Sequence, residues 1–211
     1  MEAIKFKFGD LNLTNEVINR LEQLGYTPES LKDAISRHEW KHHSDSPALY
    51  CGTYGKYNSG NFSGMWVNIS TFDDYEDFVN FCCAIHADED DPELMYQDGE
   101  NIPDSLCNES MGEEEFNKIA KYCELCDDFS VEAVDDFLKF YKPEYLVMMP
   151  DAYEGAYCSR EEFAEEKANE DFNLEKMMGN LVDYFDYESY ARDLFINDYY
   201  YGSHGSVIRR F

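Results

Sequence analysis

Residues Leu49–Ile69 read LYCGTYGKYNSGNFSGMWVNI. Two runs of β-forming residues, Leu49–Tyr54 and Gly64–Ile69, flank a segment that contains Lys56, Asn58, Ser59 and Gly60. Gly and Asn tolerate positive φ, so the stretch predicts a β-hairpin with a loop longer than two residues. Met65, Val67 and Ile69 alternate with Trp66 and Asn68, which is the period of a half-buried strand. The hairpin also opens an anionic region. From Tyr57 to Asn117, 61 residues contain 16 Asp or Glu and no Lys or Arg.

The whole chain continues that bias. Its 211 residues carry 17 Lys plus Arg against 45 Asp plus Glu, a net charge of −28. Such a charge excludes nucleic-acid binding through a basic patch, makes anionic membranes poor partners, and points to a basic partner surface. An apolar fraction of 44% with 15 Phe and 17 Tyr is enough to build a core. No apolar leader segment follows Met1 and no run is long enough to span a membrane, so a cytoplasmic protein is expected. The seven cysteines, an odd number, read as free thiols in a reducing compartment.

Outward from the hairpin, the N-terminal part is different in character. Residues 1–47 hold 6 basic and 8 acidic side chains, whereas residues 48–211 hold 11 and 37. Ile4–Phe8 predicts a strand, Thr14 caps a helix that Gly25 stops, and Thr27-Pro28 starts a second helix ending near Trp40. Ser44-Asp45-Ser46-Pro47 reads as a linker. After the hairpin, Asp73, Asp74, Glu76 and Asp77 open a helix whose inner stripe is Tyr75, Phe78, Val79, Cys82 and Ile85. Residues 94–110 read as irregular. Further helices are expected over Glu113–Cys126 (buried through Phe116, Ile119, Ala120 and Cys123), over Ser130–Tyr141 (through Val131, Val134, Phe137 and Leu138), from the capping box Ser159–Glu162, and over Asp186–Leu194. Leu146–Met149 reads as a short strand or buried run, and Tyr199–Phe211 as a terminal hairpin. The fold class is α+β, with small β-sheet and helix domains flanking a helical middle and an extra strand–helix–helix module in front.

Catalytic motifs do not accumulate. His38-Glu39-Trp40-Lys41-His42 matches the HExxH spacing of zinc hydrolases, but Lys41 and the adjoining linker leave no apolar surround to dry such a site. His43, His86 and His204 are the only further imidazoles. Adventitious metal binding by His38, His42 and His43 is a better expectation than a hydrolase, and no metal site or cofactor is assigned. Cys123-x-x-Cys126 lacks a matching second pair, and Asp88–Asp91 lacks the ligand alternation of a calcium loop. No phosphate-binding glycine loop or nucleophile elbow occurs. The chain is not expected to be an enzyme.

An acidic face is ordinarily a solvated one. Here the acid comes in adjacent pairs, Asp73-Asp74, Asp127-Asp128, Asp135-Asp136, Glu161-Glu162 and Glu165-Glu166, with few cations between them. B-DNA carries one charge per about 1.7 Å of axis, so the 26 net charges of residues 48–211 would cover roughly 45 Å at that density and a symmetric dimer roughly 90 Å.

Three stretches resemble the ArdA antirestriction family of DNA-mimicking inhibitors, which are carried by plasmids, transposons and phages. They are Tyr54-Gly55-Lys56-Tyr57-Asn58 with Gly64-Met65-Trp66, the run Glu154–Glu166, and Tyr184-Phe185-Asp186-Tyr187-Glu188-Ser189-Tyr190-Ala191-Arg192-Asp193-Leu194. Gln97-Asp98-Gly99-Glu100 departs from the His-Asp-Tyr-Glu common in relatives, and residues 1–47 have no counterpart. The resemblance implies an elongated, curved protomer with domains at about 48–110, 111–150 and 151–211, and a homodimer formed through the last. It also implies occupation of the DNA groove of the methyltransferase core of type I restriction-modification enzymes. On that reading the phosphate mimics are Asp73, Asp74, Glu76, Asp77, Asp88, Glu89, Asp90, Asp91, Glu113, Glu114, Glu115, Asp127, Asp128, Asp135, Asp136, Glu161, Glu162, Glu165 and Glu166. Tyr187, Tyr190, Arg192, Asp193 and Leu194 form a structural motif, Arg192 and Asp193 as an ion pair. A rival reading is an acidic module for another basic DNA-binding protein, such as a nucleoid protein or a CRISPR effector.

Overall fold

Ile4 and Leu11 face each other in an antiparallel ladder of β1 (Ala3–Phe6) and β2 (Gly9–Asn12), and both are buried. The computed structural model describes residues 2–41 and 46–211, so His42, His43 and the first half of the expected linker lie outside it. Sequence reading found β1 but not β2, which is only four residues long and carries a single inward side chain. Thr14 then caps α1 (Asn15–Gln23) by accepting the Val17 N–H, and Thr27 and Ser30 exchange hydrogen bonds at the start of α2 (Pro28–Lys41). The segment packs into the same unit as the hairpin. His38 stacks on Phe72 (centroids 5.2 Å apart) and Tyr26 meets Phe81 edge-on.

The hairpin strands form as expected: β3 (Ala48–Thr53) pairs antiparallel with a later strand, Leu49 opposite Val67 and Cys51 opposite Met65. The connection is not a simple loop. Thr53 Oγ1 accepts the Lys56 N–H at 3.1 Å and caps α3 (Tyr54–Asn58), so Tyr54 begins a helix instead of ending a strand. β4 (Met65–Asn68) follows, then α4 (Tyr75–Ala84), capped by Asp74 and buried through Phe78, Phe81, Cys82 and Ala84. Residues 94–110 are not irregular throughout. β5 (Leu94–Glu100) is a full edge strand on the other side of β3, with a bulge between Tyr50 and Cys51. Gly99 and the nearby Pro103 hid it from a pattern reading.

α5 (Glu113–Asp128) contains the boundary between two compact units, Met1–Cys123 and Glu124–Phe211. Its inner face is Phe116, Ile119, Tyr122 and Leu125, whereas Ala120 and Cys123 are only half-buried. In the second unit, α6 (Val131–Phe140) is capped by Ser130 and buries Ala133, Val134, Asp136 and Phe137. The inner face is thus rotated from the expected one: Val131 is half exposed and an acid points inward. Leu146–Met149 is helical, a 3-10 turn leading into α7 (Met149–Ala152). β6 (Tyr153–Ala156), α8 (Arg160–Phe172), α9 (Leu174–Met178), α10 (Tyr187–Asn197), β7 (Tyr199–Tyr201) and β8 (Ser206–Arg209) complete the unit. The sheet order is β6-β8-β7, all antiparallel, and its apolar face closes over Phe163 and Phe195. Small antiparallel sheets beside helices make the chain α+β. No helix among the described residues is long and apolar enough to cross a membrane.

Candidate functional site

The carboxylates singled out from the sequence fall into three kinds of surroundings. The first is the turn after α4. Lys56, the last cation before the long acidic run, is mostly buried, and its ammonium reaches Asp88 at 2.8 Å and Glu89 at 3.6 Å. It also donates to His86 Nδ1 at 2.9 Å, which leaves the proton on Nε2, facing the Cys51 carbonyl oxygen at 3.3 Å. Thr53 donates its hydroxyl to Glu89, and Arg20 of α1 pairs with Asp90 while bonding the Ala87 carbonyl. So three of the four acids of Asp88–Asp91 have cation partners that are remote in sequence. Asp91 is exposed there and has no cation partner among the described residues.

The second kind is Asp136, and here the sequence reading is corrected. Its side chain is wholly buried, so it is no part of an outward-facing array. It accepts hydrogen bonds from the backbone N–H groups of Ser203 and His204 (3.0 and 2.9 Å), from the Ser203 hydroxyl and from Lys139 Nζ at 2.9 Å. Burial alone pushes this carboxyl up. Lys139, the His204 N–H, Ser203 and Ser206 outweigh that and hold it well below the usual carboxylate range. Gly202 is required beside it, because a Cβ there would collide with the Asp136 carboxylate. Asp136 anchors the β7–β8 turn.

The third kind is exposed and has no ion-pair partner among the described residues. In the first unit these are Asp73, Asp74, Glu76 and Asp77 at the N-terminus of α4, with Glu113 at that of α5. Asp74 also serves as the α4 cap. Glu114 pairs with Lys118 at 2.8 Å, and Glu115 accepts the Gly112 N–H. β5 also brings Asp98 to the same unit's surface, a residue that the irregular reading of 94–110 could not place. In the second unit, Asp127 and Asp128 end α5 and are exposed, whereas Asp135 is half-buried and does not belong to this group.

The densest group lies on α8. Ser159 caps the helix as predicted by accepting the Glu162 N–H, but the Glu162 carboxylate reaches back to the Cys158 N–H at 2.6 Å, one residue before the cap, so the capping box is shifted by one position. Phe163, Ala164 and Ala168 face the core, which turns Glu161, Glu162, Glu165 and Glu166 outward on adjacent i, i+4 rows. The cations nearby are engaged elsewhere: Arg160 lies over the Phe195 and Tyr201 rings, and Lys167 pairs with Glu170 and Asp171. Apart from the Glu162 bond at the helix start, repulsion along these rows opposes the helix by a few tenths of a kcal/mol per pair.

The remaining motifs are structural in their settings. His38 of the HExxH match is buried against Phe72 and Phe81. Among the described residues no group of three or more His, Cys, Asp or Glu is arranged to hold a metal. None of the seven cysteines is in a disulfide. In the terminal motif, Leu194 packs on the Phe163–Phe195 cluster, and Tyr187 and Tyr190 contact Phe185. Arg192 and Asp193 do approach to 3.7 Å, but both are largely exposed, so the pair adds little to stability.

Fold and surface together define an acidic α+β protein whose outward carboxylates exceed the cations available to them. The chain belongs to the ArdA family: the family model described as antirestriction protein (ArdA) matches residues 49–209. No curated protein matches it. The family consists of inhibitors, and membership implies an antirestriction function against type I restriction enzymes. β1, β2, α1 and α2 lie outside the matched span.

Proposed function

We propose that the chain inhibits type I restriction-modification enzymes by standing in for bent B-form DNA in the groove of the methyltransferase core. The observation that carries this reading is the α8 face. With a rise of about 1.5 Å per residue, two acids per four residues give one charge per about 3 Å, close to the roughly 3.4 Å per phosphate along one DNA strand. Carboxylates at phosphate positions would accept hydrogen bonds from the enzyme's Lys and Arg, with no bond made or broken and no cofactor needed. Long-range attraction between opposite charges makes association fast and strongly salt-dependent. The first unit carries exposed acids of its own, on α4 and at the start of α5.

The acting species in this proposal is a homodimer formed through residues 151–211, with 48–110 and 111–150 as the two preceding domains. Its support is an unusual concentration of exposed apolar side chains, Phe172, Met177, Leu181, Tyr184 and Ile196, in the last part of the chain.

The test is titration of the purified protein into a type I methyltransferase bound to labelled DNA, at low and at high salt. Displacement near one dimer per enzyme, weakening as salt rises, is the expected result. Failure to displace at large excess would refute the proposal. Equal displacement of unrelated basic DNA-binding proteins would replace it with a general acidic module.

A further inference from the structure

The N-terminal segment does more than pad the first unit. Where it packs on β4 it leaves a cavity of about 330 Å³, within the size range of small-ligand sites. Phe6 and Phe8 form one side of it, Met65 and Trp66 another. Tyr50 meets both Phe8 and Trp66 edge-on (centroids 5.9 and 5.5 Å), which fixes the aromatic wall. Lys5 and Lys7 stand at the same cavity, both exposed and neither in an ion pair with a carboxylate among the described residues. Lys7 Nζ sits 4.9 Å from the Phe8 ring centroid. Glu39 also lines the cavity, but its carboxylate is engaged by the Lys7 backbone N–H at 2.7 Å. Asp10 stands opposite Lys5 in the β1–β2 ladder without forming an ion pair. Two lysines at an aromatic-lined cavity, one of them with its ammonium beside the Phe8 ring, stand out on a chain of net charge −28.

We propose that this cavity binds a small planar aromatic anion, its ring against Phe6, Phe8 and Trp66 and its anionic group at Lys5 and Lys7. Stacking on aromatic faces and charge-assisted hydrogen bonds from ammonium groups supply the two halves of the recognition. The chemistry is shared by nucleoside monophosphates and aromatic carboxylates. The site is independent of the carboxylate array, and most of it lies outside the family-matched span.

Calorimetric titration of the full chain with AMP and with 1-naphthoate tests it, adenosine and inorganic phosphate serving as half-ligands. Saturable one-site binding of AMP or of naphthoate, about tenfold or more tighter than either half-ligand, is expected, and which of the two binds identifies the source. The K5Q/K7Q pair should weaken binding by about tenfold or more without lowering the melting temperature, since both side chains are exposed. D10N, which removes the facing charge, should tighten it. No saturable binding at millimolar ligand, or binding indifferent to both variants, overturns the proposal.

Discussion

The turn Asp88–Asp91 and the α8 face Glu161–Glu166 are equally acidic as strings of letters, yet their acids do different work. In the turn, Lys56 and Arg20 arrive from other elements and pair with three of the four acids, Lys56 being shared by Asp88 and Glu89. On α8 the neighbouring cations turn away, Arg160 to aromatic rings and Lys167 to acids further along the helix. A stretch without cations in sequence is therefore not a stretch without cations in space. An acid that the fold has already paired holds the protein together, and one that the fold leaves unpaired keeps its full attraction for a partner.

Asp136 is the limiting case of an acid that works only for the fold, and removing it should have the largest effect. Asp136→Ala strands the buried N–H groups of Ser203 and His204 and the Lys139 charge, so a loss of about 3 kcal/mol in stability is expected by denaturant unfolding. Its pH signature follows from the sign of the shift. Because the folded carboxyl is held below its unfolded value of about 3.9, its stabilisation is fully present above about pH 5 and fades as pH falls through the folded value. Asp136→Asn should lack this component of the acid limb. An unchanged limb would mean that another carboxyl governs it.

Lys56→Met attacks the paired turn directly. The cation is mostly buried while its partners are half exposed, so about 2 kcal/mol of stability should be lost, less than for a wholly buried pair. Inhibition per folded molecule should not fall, because the change frees carboxylates instead of removing them. A collapse of inhibition in protein that still melts cooperatively would show that the turn is read by the partner in its paired form, and the contrast with α8 would be lost.

Replacing Glu161, Glu162, Glu165 and Glu166 together by Gln should do the reverse. Two like-charge rows are relieved while a Gln at 162 can still accept the Cys158 N–H, so stability should change by no more than a few tenths of a kcal/mol. Inhibition should weaken by about 1.4–2.8 kcal/mol, roughly ten- to a hundredfold in DNA competition at low salt, with a shallower salt dependence. The same experiment on D88N/E89Q/D90N is the control that sharpens the comparison, since that variant should lose stability first.

Much of this scaffold was legible in the residues. Thr14, Thr27 and Ser159 cap helices as side-chain chemistry demands, the terminal hairpin survives in the fold, and in β4 Met65 and Val67 face inward as expected although Asn68 is buried too. What escaped was set by long-range partners. Asp136 reads as half of an exposed acid pair until the β7–β8 turn supplies donors from 67 residues away. β5 reads as loop until β3 offers it an edge, and Tyr54 reads as strand until Thr53 caps the turn beneath it. Pairing of Asp88 and Asp90 required knowing where Lys56 and Arg20 would come to rest. Periodicity reports which face is apolar, and it does not report which charges meet.

The smallest expected effect is the most discriminating. Glu165 is exposed, pairs with no described cation and is no cap, so Glu165→Gln removes one charge and nothing else. One exposed contact is worth about 0.2–1 kcal/mol, which puts the change at less than about fivefold in inhibition, fading as salt is added. Asp73→Asn, on the other unit, should give a change of the same order. If inhibition comes from a summed field, such single changes are similar wherever they are made, and four together approach the sum. If one of them abolished inhibition outright, recognition would reside in a point contact, and charge spread in the manner of a phosphate backbone would no longer explain it.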